Sequence, residues 1–261
     1  MTGVAPRPYD GDSAGSARAA KASVLERPVP SVSAIVPLFN EQTTVARVVE
    51  TLAASRLIEE VICVDDGSTD ESRAVLEAFG ERIVLVACGS NGGKGRALAE
   101  GLGRASGEVV AFFDADLTNL SEAHVEALLA PILGGEARAV LGYPNGTTPY
   151  PGSVLARFTG ERAYFRDDLQ PHLARMADVR FGIEVLLNSL VADAETRLVP
   201  LEELAGLDKL AKHGSRDAVR EYWGEAVEIT RELARQRLAA IGGHPVVAYM
   251  ASIAGARERR K

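Results

Sequence analysis

Four short apolar runs in the first half of the chain constrain its fold more than anything else in the sequence. They are Ser33-Ala34-Ile35-Val36-Pro37, Glu60-Val61-Ile62-Cys63-Val64-Asp65, Arg82-Ile83-Val84-Leu85-Val86-Ala87 and Glu108-Val109-Val110-Ala111-Phe112-Phe113. None alternates apolar with polar residues, which is how strands covered on both faces read. Helical patterns lie between them. Val45, Val48, Val49 and Leu52 fall at helical spacing within Thr43 to Ala54. Asp70 to Phe79 follows Ser68-Thr69, which can cap it, and Lys94 to Arg104 is rich in Ala and Leu. Strands alternating with helices predict an α/β fold with a mainly parallel, doubly wound sheet and right-handed crossovers.

In such a sheet ligands bind beyond the carboxyl ends of the strands. The segments there are Leu38-Phe39-Asn40-Glu41, Asp66-Gly67-Ser68-Thr69-Asp70, Cys88-Gly89-Ser90-Asn91-Gly92-Gly93-Lys94 and Asp114-Ala115-Asp116. Most are polar, glycine-rich or acidic. The second half is less regular. Ala139-Val140-Leu141 reads as a fifth strand, Asn145 to Gly152 as a turn-rich stretch, Phe181 to Val191 as a helix, and Asp217 to Ile241 as a long amphipathic helix. Residues 1–30 read as a flexible tail, 31–245 as a single domain and 246–261 as a C-terminal segment.

Composition narrows the function. Twenty-nine Lys and Arg against 36 Asp and Glu give a net charge of −7. That excludes a global basic field for nucleic acid. Cys63 and Cys88 are the two cysteines. Two make no disulfide framework, and with no secretory leader the expected compartment is the cytoplasm. No apolar run approaches the ~20 residues of a membrane span.

The glycine-rich segment fails as a P-loop: three residues, not four, separate Gly89 from Gly93, and Gly95 follows Lys94. It fails equally as a dinucleotide fingerprint, and taken alone it is a strand-to-helix turn whose helix N-terminus can face an anion. Asp114-Ala115-Asp116 is the better signal. Two carboxylates two residues apart at a strand end project to the same side and need a cation, and hard oxygens suit Mg²⁺ or Mn²⁺. The plain alternative is a solvated acidic turn before the helix that begins near Ser121. Asp65 and Asp66 exceed what a turn requires, so one is a candidate acceptor for a nucleobase or ribose. His124, His172, His213 and His244 lack metal-ligand spacing and read as surface residues. Cys63 reads as inert core.

Taken together, the four edge segments resemble the nucleotide-sugar half of family-2-type glycosyltransferases with the GT-A fold, over roughly residues 33–130. The matching stretches are Ile35 to Glu41, Val64 to Asp70, Asn91 to Ala97 and Phe113 to Asp116. The resemblance implies a glycosyltransferase that takes a UDP- or GDP-linked sugar and a divalent metal. It places Pro37, Asn40 and Glu41 along the nucleoside, with Glu41 near the ribose, Asp66 at the base and Lys94 near the base or diphosphate. Leu38, Gly67 and Ala115 complete the nucleotide-sugar set. Asp114 and Asp116 form the D-x-D pair, with Asp116 the more direct metal ligand.

In the second half, Thr159-Gly160-Glu161-Arg162-Ala163-Tyr164-Phe165 and Phe181-Gly182-Ile183-Glu184-Val185 resemble segments of polyprenyl-phosphate sugar synthases and of synthases that glycosylate phosphoglycerate. By that resemblance Gly160 lets backbone approach the donor sugar, Arg162 holds an acceptor phosphate, and Glu184 orients the sugar or acts as base, with Glu161 as the other candidate base. After Val199-Pro200-Leu201-Glu202 these relatives often carry a metal-binding His. Here none occurs before His213. The expected acceptor is a small molecule, soluble or phosphorylated. A polyprenyl phosphate at the membrane surface is the alternative, as is a non-catalytic nucleotide-sugar-binding protein. A nucleotidyltransferase is disfavoured, since Leu38-Phe39-Asn40-Glu41 stands where its basic glycine-rich loop belongs. Oligomeric state stays open, a homodimer included.

Overall fold

The computed structural model describes residues 29–145, 155–179 and 182–206. Residues 1–28 of the expected tail, Phe181, the helix expected over Asp217 to Ile241, His213, His244 and the C-terminal segment fall outside these residues. Seven strands form one sheet: β1 (Val32–Leu38), β2 (Glu60–Asp65), β3 (Val84–Ala87), β4 (Val109–Phe112), β5 (Ala139–Asn145), β6 (Arg162–Phe165) and β7 (Thr196–Glu202). Their order is β3-β2-β1-β4-β6-β5-β7. β1 pairs in parallel with β2 and β4, β2 with β3, and β5 with β7. β6 runs antiparallel between β4 and β5, with Phe112 opposite Arg162.

The side-chain period of two splits each central strand between two cores. Ala34, Val36, Val61, Cys63, Val109 and Ala111 face one layer; Ile35, Ile62, Val64, Val110 and Phe112 face the other. The first layer is covered by α1 (Val45–Ala54), α2 (Ser72–Glu77) and, beyond α3 (Lys94–Arg104), by α4 (Glu122–Leu133). The second is covered by α3 and the short helices α5 (Arg166–Leu169), α6 (Leu173–Ala177) and α7 (Ile183–Asn188). This is the expected doubly wound α/β arrangement. No helix among the described residues is long and apolar enough to cross a membrane.

Three expectations need correction. β3 is an edge strand, not a strand covered on both faces, and Val84 is exposed. Ser68 and Thr69 do not cap α2; both bind the β1–α1 loop instead. β6 and β7 lie outside the strands expected from the sequence: β6 has only four residues, and the apolar residues of β7 are interrupted by Arg197 and Pro200. His124 is not a surface residue but a buried part of the α4 capping box: Ser121 N–H is 3.2 Å from its Nδ1, and its Nε2 lies 2.8 Å from the Glu202 carbonyl.

α3 approaches the sheet where its glycines permit. A Cβ on Gly101 would stand 2.5 Å from Ile35 Cγ2 and 3.2 Å from Val64 Cγ2. Gly101→Ala gains helix propensity of about 1 kcal/mol. It also pushes α3 off a β-branched wall, and overpacking costs about 1–3 kcal/mol. The expected net effect is destabilisation, read as a lower urea midpoint at unchanged m-value.

Candidate functional site

The ends of β1, β2, β3 and β4 open on one edge of the sheet. β6 begins at that same edge because it is antiparallel. Three loops are knitted together on the β1–β3 side. Asn40 sits at φ 59°, a costly conformation for a non-glycine residue. Its N–H donates to Ser68 Oγ at 2.9 Å, and its Oδ1 accepts from Thr69 N–H at 2.8 Å. Glu41 N–H donates to Ser72 Oγ, and Gln42 returns a bond to Glu71 N–H. Asn40 therefore works chiefly as a loop fastener. Pro37 and Leu38 are buried at the end of β1, so that only their backbone borders the edge, while Phe39 beside them stands 40% exposed. Phe39 escaped the sequence reading; an apolar residue at a strand end carries no signal until its exposure is known.

Asp66 is buried under the glycine-rich loop. Its carboxylate accepts from Gly92 N–H at 2.9 Å, from Gly93 N–H at 2.6 Å and from Arg96 Nη2 at 2.5 Å. Arg96 also donates to the Ser90 carbonyl. The carboxylate expected at a nucleobase thus has another set of partners here: it holds the loop. Gly67, at φ +80°, lets this turn lie on the loop backbone, since a Cβ there would fall 2.7 Å from the Ser90 carbonyl carbon.

The chemistry-bearing cluster lies at the end of β4. Extending the β4–β6 register places Asp114 opposite Gly160, and a Cβ on Gly160 would overlap the Asp114 carboxylate. From the first turn of α3, Lys94 Nζ reaches Asp114 Oδ1 at 2.8 Å and Glu184 Oε1, on the first turn of α7, at 3.0 Å. Burial works against the Lys94 charge, but the two carboxylates more than offset it and push its pKa up. Glu161 lies beside them, 4% exposed, its Oε2 accepting from the Thr159 hydroxyl at 2.6 Å. Burial first, and then the Asp114 charge, raise its pKa to about 7. Asp116 is half-buried on the other side of Ala115, which is core. The chain after β7 passes it: a Cβ on Gly206 would stand 3.5 Å from Asp116 Oδ1. Leu117 bridges to Gly206, and Thr118 and Asn119 bond Ala205 and Glu203.

Arg162 is 1% exposed. Its guanidinium donates to the carbonyls of Thr159 and Arg157, to Tyr164 Oη and to Asn188 Oδ1. Four internal bonds leave it placed as a rivet between β6 and α7 rather than as the expected hold on an acceptor phosphate. Cys63 is inert core as expected, its thiol pushed up to about 12 by burial.

The donor set suits a hard divalent cation only in part. Asp114 and Asp116 offer carboxylate oxygens, yet no group of three His, Cys, Asp or Glu side chains among the described residues is arranged to hold a metal. The remaining ligands fit a diphosphate.

Glu161 makes stability depend on pH. Its folded pKa lies above its ordinary 4.5, so the folded chain keeps a proton that the unfolded chain gives up. That contribution is complete below about 4.5 and is lost as pH rises through about 7. Glu161→Gln should melt close to wild type near pH 5 and several degrees above it near pH 8, in metal-free buffer.

Comparison with known proteins agrees with this edge. Glucosyl-3-phosphoglycerate synthase of Mycobacterium tuberculosis is 34% identical over 113 residues, covering 41% of this chain and 35% of that protein. Undecaprenyl-phosphate 4-deoxy-4-formamido-L-arabinose transferase of Sodalis glossinidius is 37% identical over 102 residues, covering 36% of this chain and 31% of that protein. The matched stretch thus spans about a third of the length of these curated relatives. A crystal structure of the M. tuberculosis synthase with Mn²⁺, UDP-glucose and phosphoglyceric acid superposes with a TM-score of 0.55 at 26% identity, covering 69% of this chain and 72% of that one. The architecture is the GT-A fold anticipated from the edge motifs. Residues 33–155, a little under half of the chain, match the family described as Glycosyl transferase family 2.

Proposed function

We propose that the protein is a metal-dependent glycosyltransferase that moves a sugar from a UDP-linked donor to a small phosphorylated acceptor. The observation that carries this reading is the alignment at one sheet edge of a knitted nucleoside-side loop cluster and the Asp114-Ala115-Asp116 turn. Likeness to a synthase crystallised with Mn²⁺, UDP-glucose and phosphoglyceric acid supports the donor and metal. Both sets of relatives carry a phosphate-bearing acceptor in their names, which supports the acceptor class.

In this reading the nucleoside lies along the ends of β1 and β2, bordered by the backbone of Pro37 and Leu38, by Asn40, Glu41 and Gly67, and by the exposed Phe39 ring. Asp66 acts through the glycine-rich loop it fastens. A divalent ion, when bound, offsets the charge that grows on the departing diphosphate. Asp116 is its main protein ligand, with Asp114 behind it. Gly160 lets the β6 backbone lie directly against the Asp114 carboxylate, which holds that carboxylate in place at the donor end of the edge. Glu184 is the more open of the two candidate carboxylates for orienting the sugar or taking a proton: its side chain is 16% exposed, and Lys94 Nζ holds it in place at 3.0 Å. Glu161 is sealed against Thr159 and holds its own proton near neutral pH. With Arg162 spent internally, the acceptor phosphate is met by other groups.

Calorimetric titration of UDP and GDP, with and without Mn²⁺, tests the donor. Micromolar UDP binding that requires Mn²⁺ is expected, and Asp116→Asn should weaken it about a hundredfold or more. Equal UDP affinity with and without Mn²⁺, or an unaltered Asp116→Asn, would sink the metal assignment.

A further inference from the structure

The position of Lys94 is unusual for a residue expected to meet a nucleotide. Its ammonium does not face open solvent at the nucleoside side. It sits between two carboxylates of different elements, 2.8 Å from Asp114 Oδ1 and 3.0 Å from Glu184 Oε1, with Glu161 close enough to feel its charge. Three elements converge to build this: the N-terminus of α3, the end of β4 and the first turn of α7. The placement is fixed by packing, because Gly95, the next residue, lies against the carbonyls of Met176 and Val179 with no room for a side chain.

From this we infer that Lys94 is a built-in counter-ion that keeps a divalent cation out of the Asp114–Glu184 carboxylates, so that metal enters only together with the diphosphate, at Asp116. The inference rests on the donor reading above for its purpose, though not for its geometry. A magnesium-sized ion needs its oxygens at about 2.1 Å. An ion shared by Asp114 Oδ1 and Glu184 Oε1 would stand where the ammonium stands, and two such cations repel strongly at that separation. The other face of Asp114 is closed by the Gly160 backbone. Asp116, across the buried Ala115, then offers one side chain, and one carboxylate holds a hydrated divalent ion weakly. Diphosphate oxygens supply what is missing. Lys94 thus acts as a positioning residue: it fixes Glu184, neutralises Asp114 and makes metal loading depend on nucleotide.

The test is Mn²⁺ binding to the full chain without nucleotide, followed by the electron paramagnetic resonance signal of free Mn²⁺. Wild type should bind weakly. Lys94→Met leaves Asp114, Glu184 and Glu161 uncompensated, and its Mn²⁺ affinity should rise about tenfold or more. Lys94→Arg should stay at the wild-type value, and Glu184→Gln added to Lys94→Met should remove most of the gain. Should Lys94→Met fail to fold, as judged by circular dichroism, Lys94→Gln keeps a hydrogen-bond donor and carries the same comparison. A folded neutral variant that binds Mn²⁺ no tighter than wild type overturns the inference. Adding UDP separates the two readings: in wild type it should tighten Mn²⁺ binding, and in Lys94→Met that dependence should shrink. If neither UDP nor GDP changes Mn²⁺ binding to wild type, the donor reading fails, while the metal-only comparison still decides the role of Lys94.

Discussion

The antiparallel seam between β4 and β6 sets the rest of the site. A parallel neighbour would reach the ligand edge with its carboxyl end, as β1 to β4 do. β6 instead starts there, and its register lays Gly160 against Asp114 and brings Glu161 into the same space. The surroundings of Asp114 follow from this one pairing. It closes one face of the first D-x-D carboxylate with bare backbone, and it buries a second acid within reach of it.

Such a concentration of acids is tolerable only with compensation. Burial penalises each charge, and like charges raise one another's pKa. The structure answers in two ways. Lys94 neutralises Asp114 and Glu184 through direct contacts, and Glu161 stays largely protonated below about 7. The cluster is therefore poised rather than inert: what it binds and what it excludes turn on one ammonium group.

On the nucleoside side the loops serve each other before they serve a ligand. Asn40, Ser68, Thr69 and Asp66 all read from the sequence as polar residues at a strand edge, hence as ligand contacts or helix caps. In the fold they make a reciprocal lattice that supports a left-handed Asn40 and pins the glycine-rich loop. The same holds for Arg162, a guanidinium that the resemblance assigns to an acceptor phosphate and that here bonds within the β6–α7 junction. Residue type and position point to the edge, while the partner of each single residue depends on the fold. A hydrogen-bonding group does not announce whether its partner is a substrate or a neighbouring loop.

The sequence by itself determined the layered α/β architecture, the helix α3 to its bounds, and the four strand-end segments that share one edge. Periodicity and strand-end position are local properties, and local pattern suffices for them. It also marked Asp114, Asp116, Lys94, Gly160, Glu161 and Glu184 as the residues to watch. Only the tertiary structure decided that β6 inserts antiparallel, that β3 lies exposed at the sheet edge, that His124 and Arg162 are internal fasteners, and that Lys94 faces carboxylates. Those outcomes depend on which distant segments meet. Lys94 and Glu184 are ninety residues apart in the chain, and their encounter is fixed by α3 and α7 packing on one face of the sheet, which no local pattern records.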